Sequence, residues 1–366
     1  MIGSNRVGAM KTIQAPIPLA VALLVALLLG TPVVVTGHHA VAGSYDTSRM
    51  IELEGVVTEV LWRNPHVQVS MRGTDEDGNE ALWELATTSL SNMRRWRIDP
   101  SFVEVGDVIR VAGNPAVRGE HGLYIRNVLT HSGEEVLLGL DVQPRWSDRT
   151  IEMADSRRLG VGDDSAPELG MFRVWSTPDN IPVLIPRNYG RNPTFSANLT
   201  QAARDALDGF VWERDNPLKS CAPKGMPTIM EAPYPFDLTR DGADIVWHNE
   251  EYDTVRRFHM GPDASTESQA HSLLGYSIGR WEDERTLVVT TTKMSWGHFD
   301  GQGIPMSPAA QTVERFSLSA RGDRLSYTLT VIDPATFIEP VTLEKHWVWY
   351  PDARVGAYEC SPDAED

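Results

Sequence analysis

Between Leu274 and Thr292 the chain alternates polar and apolar positions, breaks at the charged turn Glu282–Arg285, and resumes in the β-branched run Leu287–Thr292. Tyr276, Ile278 and Arg280 fall on one side of the first arm, with Ser277, Gly279 and Trp281 on the other. A period of two flanking a polar turn predicts a β-hairpin. The same period recurs around it, in Pro235–Arg240, Asp244–Asn249, Thr254–Met260, Gln311–Ser319, Leu325–Ile332 and Val341–Tyr350. Turn residues separate these runs at Arg240–Ala243, Gly261–Asp263 and Arg321–Asp323. Strands joined mainly by short turns predict a meander that closes on itself, a form that often holds a small ligand in its interior.

A second β pattern precedes this one. Ile51–Trp62 reads as a long strand whose alternation changes phase at Gly55, where a bulge is expected. Val67–Arg72 and Ala81–Ala86 follow, separated by the turn Asp75–Asn79. Ser89–Ile98 reads as a short helix with Thr88 or Ser89 as cap and Leu90, Met93 and Trp96 on one face. Val108–Ala112 and Leu123–Thr130 complete the set, and three strands, a helix and two strands is the order of an OB-type barrel. Residues 134–170 show no sustained period and carry many acids and glycines, which predicts a linker. A helical patch over Leu199–Phe210, with Thr200 near its start, leads into the later strands. The expected fold is mainly β: an OB-like small barrel over 38–133, then a larger antiparallel β-barrel or sandwich over 171–360, a lipocalin-like meander with a few short helices, and a tail at 361–366.

Residues 1–37 have the features of an export signal: Arg6 and Lys11, then the apolar run Ile17–Gly30, then Pro32 and the small-residue site Val35–Gly37. The run is short for a bilayer span, which favours cleavage and no stable membrane insertion afterwards, with an uncleaved anchor as the alternative. The expected location is periplasmic or secreted. A net charge of −17 spread along the chain repels phosphate backbones and argues against nucleic acid as a partner. Eleven tryptophans suit β-cores or ligand pockets. The two cysteines, Cys221 and Cys360, are expected to pair in an exported chain, and neither a CxxC nor a zinc-type spacing is present.

Two resemblances attach to particular motifs. The His38–His39 pair, Asn64-Pro65-His66 with Trp62 just before it, and Val105-Gly106-Asp107 resemble an uncharacterised exported bacterial family, a domain of unknown function, over about 38–130. The stretches Cys221–Pro227, Arg256–Met260, Ser277–Glu282, Leu287–Val289, Val313–Phe316 and Asp333-Pro334 are similar to a second uncharacterised bacterial family over about 171–360. That family usually carries DGR after its His-Met pair and a shorter WEGDTLVV turn, where this chain has Gly261-Pro262-Asp263 and WEDERTLVV. Both resemblances imply architecture and neither implies an activity.

Candidate chemistry is sparse. Cleavage after Gly37 would give His38 a free α-amine beside its imidazole, and His38, His39 and His66 together would suit copper; the plainer reading is a solvated terminus and a loop histidine. On the strand around Arg257, that residue and His259 share one face, and Arg256 and Phe258 share the other. If the first face lines the barrel, Arg257 and His259 meet an anionic ligand there or serve cofactor-free acid–base chemistry; otherwise the arginines pair with surface acids such as Glu250, Glu251 and Asp253. Trp281 is expected as a core aromatic at the barrel floor. Trp296 and His298 sit in a glycine-rich loop with Asp300 and Ser307, but no nucleophile elbow supports a hydrolase. Glu314 and Arg315 lie on opposite strand faces, so Glu314 is expected to pair internally with Arg256 or Arg280. Phosphate-cradle motifs are absent. The function that follows is binding of a small, partly apolar ligand in the C-terminal barrel, lined by Arg257, His259, Trp281, Trp296 and His298, with copper binding or an acid–base enzyme as alternatives.

Overall fold

A computed structural model gives the architecture. It describes residues 45–360 apart from 65, 75–77, 79, 118–120, 140–141, 153–168, 179–183, 187, 219–220, 352, 359 and the side chains of 212 and 213. The expected export signal, with His38 and His39, lies outside the described residues.

The first barrel is built from β1 (Ile51–Leu61), β2 (Gln68–Thr74), β3 (Glu80–Ala86), β4 (Val108–Pro115) and β5 (Gly122–Leu129). β1 pairs with both β2 and β4, and a short parallel contact between β3 and β5 closes the ring, the strand order of an OB barrel. Its core is filled by inward residues of the alternating strands, among them Leu53, Val57, Met71, Leu85, Ile109 and Ile125. Gly55 is no bulge: a Cβ there would stand 2.2 Å from the Arg72 carbonyl oxygen, so glycine marks a close approach of two strands. The register shift comes later, between Val57 and Glu59.

Helix α1 (Leu90–Arg95) fills the expected place between β3 and β4, and its N-cap Ser89 accepts a hydrogen bond from the Asn92 amide. The NPH motif is fastened to its start. Asn64 is fully buried, and its Oδ1 accepts from the Ser91 amide at 3.2 Å. His66 Nδ1 lies 2.8 Å from the Thr87 carbonyl.

The first part of the stretch expected as a linker, through Ile151, adds two short strands to the same sheet. β6 (Glu135–Leu137) adds to the edge of β5, and β7 (Thr150–Ile151) adds to β6. Elements of three and two residues are too short to show a period, which is why composition alone reads them as linker.

The second barrel closes through nine strands in the order β10-β11-β12-β13-β14-β15-β16-β8-β9. Its members are β8 (Val174–Ser176), β9 (Phe236–Asp241), β10 (Asp244–Asn249), β11 (Thr254–His259), β12 (Tyr276–Asp283), β13 (Thr286–Thr292), β14 (Gln311–Leu318), β15 (Arg324–Ile332) and β16 (Val341–Trp349). The expected strands all appear, and β8 is added as the stave that joins β16 to β9. The barrel is not wholly antiparallel. β11 and β12 run parallel through two residue pairs, Phe258 with Ser277 and His259 with Ile278. The long connection between them gives the chain room to cross back to the starting end, as a parallel pair requires.

The interior is packed. Trp175, Phe236, Trp247, Phe258, Phe316, Tyr327 and Trp347 point inward and are buried against one another. Helix α2 (Gln201–Asp208), capped by Thr200 to the Ala203 amide, covers the barrel with Ala203 and Leu207. The two barrels meet through α1: Arg95 donates to the carbonyls of Thr177 and Pro233, and the Tyr350 hydroxyl donates to the Arg95 carbonyl at 2.5 Å. Cys221 and Cys360 form the expected disulfide.

Candidate functional site

The strand directions give the second barrel two unlike ends. At one end the 3-10 turn Thr228–Glu231 lies over the opening, with the loops 250–253 and 293–310 beside it. At the other end β9, β12 and β14 finish around the residues that precede β8.

Among the described residues, that second end is open. A cavity of about 750 Å³ is lined by Met171, Phe172, Trp281, Leu318 and the side chain of Arg240, with Glu282, Asp283 and Glu284 at its rim. Trp281 shares its parity with Ser277 and Gly279, the inward residues of β12, and so turns toward the opening. It is 38% exposed rather than buried in the core, with its ring edge-on to Phe172 at 6.3 Å. The Arg240 guanidinium stands 3.9 Å from the Phe172 ring centroid, a cation–π contact that holds one wall. Glu282 is paired with Arg315, whose cation holds the Glu282 carboxyl below its ordinary range. An apolar floor with a polar rim is the usual make-up of a small-molecule site.

The capped end is rich in buried charge. Lys224 Nζ donates to Glu251 Oε1 at 2.6 Å, and beside this pair stand the rings of Tyr234, Tyr252 and Tyr358. Burial raises the Tyr234 and Tyr358 hydroxyls, so both stay protonated. Glu231 accepts from the Ile185 amide at 3.1 Å; burial, helped by Asp300, pushes its carboxyl up to about 7. Lys345 lies on the inward face of β16 between Leu343 and Trp347, and burial pulls it down to about 7 against the opposing pull of Glu231 and Glu251. Its Nζ donates to the Met230 carbonyl at 2.8 Å and stands 4.6 Å from the Trp347 ring centroid.

Deeper in the barrel, Arg256 and Glu314 form a buried ion pair at 2.7 Å. Ser277 Oγ and Thr291 Oγ1 accept from Arg256, and the Tyr327 hydroxyl donates to Glu314 at 2.9 Å. One of the two pairings expected for Glu314 is therefore present.

The residues expected to bind ligand do not converge. Arg256 and Phe258 take the inward face, which leaves Arg257 and His259 outside. The reason is that Glu314 offers a buried partner to Arg256 alone. Arg257 pairs with Asp241 at 2.5 Å, and His259 lies 3.3 Å from Asp244 and stacks on Tyr276. Those acids come from the neighbouring hairpin rather than from Glu250, Glu251 or Asp253. Trp296 and His298 are together at the capped end, with ring centroids 5.0 Å apart, and Trp296 Nε1 donates to Thr228 Oγ1. Burial lowers the His298 imidazole. Asp300 accepts from the Gln302 and Ile304 amides of its own loop while Ser307 is bonded to Asp333 in the loop after β15, so these side chains fasten loops and form no relay. Among the described residues no group of three or more His, Cys, Asp or Glu is placed to hold a metal ion. Lys345, Lys224 and Glu231 were not expected from the sequence. The one available signal was a lysine at an inward position of β16, between Leu343 and Trp347.

Fold and site define a protein of two successive β-barrels, the second capped at one end and open at the other. Residues 26–124 match a family of unknown function (DUF6152), a stretch that ends within β5. No second family is identified over residues 171–360. No match is found among curated proteins.

Proposed function

We propose that this chain is an exported protein whose second barrel binds a small, partly apolar ligand at its open end. The observation that carries the reading is the cavity of about 750 Å³ on which Trp281 is left substantially exposed beside Phe172, Met171 and Leu318. A packed interior moves the binding place from the middle of the barrel to its rim. Two aromatic rings inclined at 63° favour a planar apolar body, and Asp283 and Glu284 at the rim favour a neutral or cationic head over an anionic one. Titration with a neutral hydrophobic fluorophore such as N-phenylnaphthylamine, followed by tryptophan quenching, tests it. Saturable binding at one site is expected, weakened by about tenfold or more in Trp281→Ala and in Leu318→Asp. No uptake by the wild type, or uptake unchanged in both variants, overturns the reading.

A further inference from the structure

We infer that Lys345 at the capped end is a nucleophilic amine that forms a Schiff base with a small aldehyde or ketone. Composition is the first support. The chain has five lysines against 28 arginines, so it meets its need for surface cations almost entirely with a group that does not lose its proton. Two of the five, Lys224 and Lys345, stand under the same turn. Their surroundings separate their roles. Lys224 is held as an ammonium by Glu251, the carboxylate it touches. Lys345 makes no ion pair among the described residues; its single hydrogen bond goes to a neutral carbonyl, and an apolar strand face surrounds its stem. A lysine desolvated in this way is the usual form of a covalent amine catalyst. The residue as a whole retains some exposure, and reaction with a small carbonyl compound requires that its amine be approached from the capped end.

The step balances without an external oxidant or reductant. The neutral Lys345 amine attacks the carbonyl carbon, a nitrogen–carbon bond forms, and the carbonyl oxygen takes a proton. The carbinolamine then loses water, whose second hydrogen comes from the nitrogen, and a carbon–nitrogen double bond remains. Glu231 follows Met230, whose carbonyl holds Nζ, and its charge acts on Lys345; we assign it as the carboxyl that gives and takes that proton. Its raised value, about 7, keeps both of its forms populated near neutral pH.

The experiment is reductive trapping on the full-length purified protein. It is incubated with acetaldehyde and cyanoborohydride at neutral pH and read by intact mass and peptide mapping. Among the lysines, the preferred adduct is expected at Lys345, formed about tenfold or more faster than at Lys293, with the preference abolished in denaturant; the α-amine, which titrates at about 8, is mapped separately. Lys345→Arg should remove that adduct, and Glu231→Gln should slow it while leaving labelling of Lys293 unchanged. Because the map is read on the wild type, a variant that fails to fold does not decide the outcome. Labelling distributed over the lysines with no excess at Lys345, or an equal preference in denaturant, overturns the inference.

Discussion

Arg256 and Glu314 are 58 residues apart in the chain and pair directly inside the second barrel. Charges taken out of water must be matched by partners, and here Ser277, Thr291 and Tyr327 supply further hydrogen bonds to the pair. Glu314→Ala should therefore cost about 3–5 kcal/mol of unfolding free energy, since it strands a buried guanidinium. The joint replacement Arg256→Met with Glu314→Leu should lie much closer to the wild type. Urea denaturation of the two variants decides the matter, and equal losses would refute it. This pair was legible in the sequence because Glu314 sits between Thr312 and Phe316 on a strand whose other face carries Arg315. The face of β11 was not legible from its arginines, since each side offers one; Phe258 was the residue that broke the tie toward Arg256.

At the scale of elements, β6 owes its place to one carboxylate. Glu135 is buried and accepts from the amides of Arg145, Trp146 and Ser147 and from the Asn127 side chain, which draws the following loop back over the sheet. Burial opposes its charge, yet these donors hold the carboxyl below its ordinary value. A group whose folded value is depressed contributes stability above its unfolded value and loses it as pH falls through the folded one. Glu135→Gln should thus be destabilised near neutrality and converge with the wild type on acidification. Thermal melts from pH 7 downward, about five pH units in span, would show it; a constant gap across the range would count against it. Periodicity found the strands of five or more residues because each buries one face. It missed β6, β7 and β8 because two or three residues carry no period, and their positions depend on Glu135 and Trp175 finding partners far along the chain.

At the scale of the whole molecule, the tail after β16 passes back to the first barrel. Cys360 bridges to Asn64 by a β-bridge and to Cys221 by the disulfide, across a separation of 139 residues. Closing so long a loop stabilises by about 4–5 kcal/mol on the chain-entropy model. Reduction, or Cys221→Ser with Cys360→Ser, should lower the melting temperature of the second barrel's tryptophan signal, and an unchanged melt would refute the contribution. The succession of two barrels was readable from the order of strands. The chemistry was not, because the open cavity and the capped end are each assembled from segments more than a hundred residues apart.

The junction between β11 and β12 carries only two residue pairs, fewer than any of the hairpins around it. Arg256 leaves β11 at that junction and bonds to Ser277 on β12, Thr291 on β13 and Glu314 on β14. The barrel is thus a cuff with a clasp: at one of its thinly laced seams, a single guanidinium fastens four staves from within.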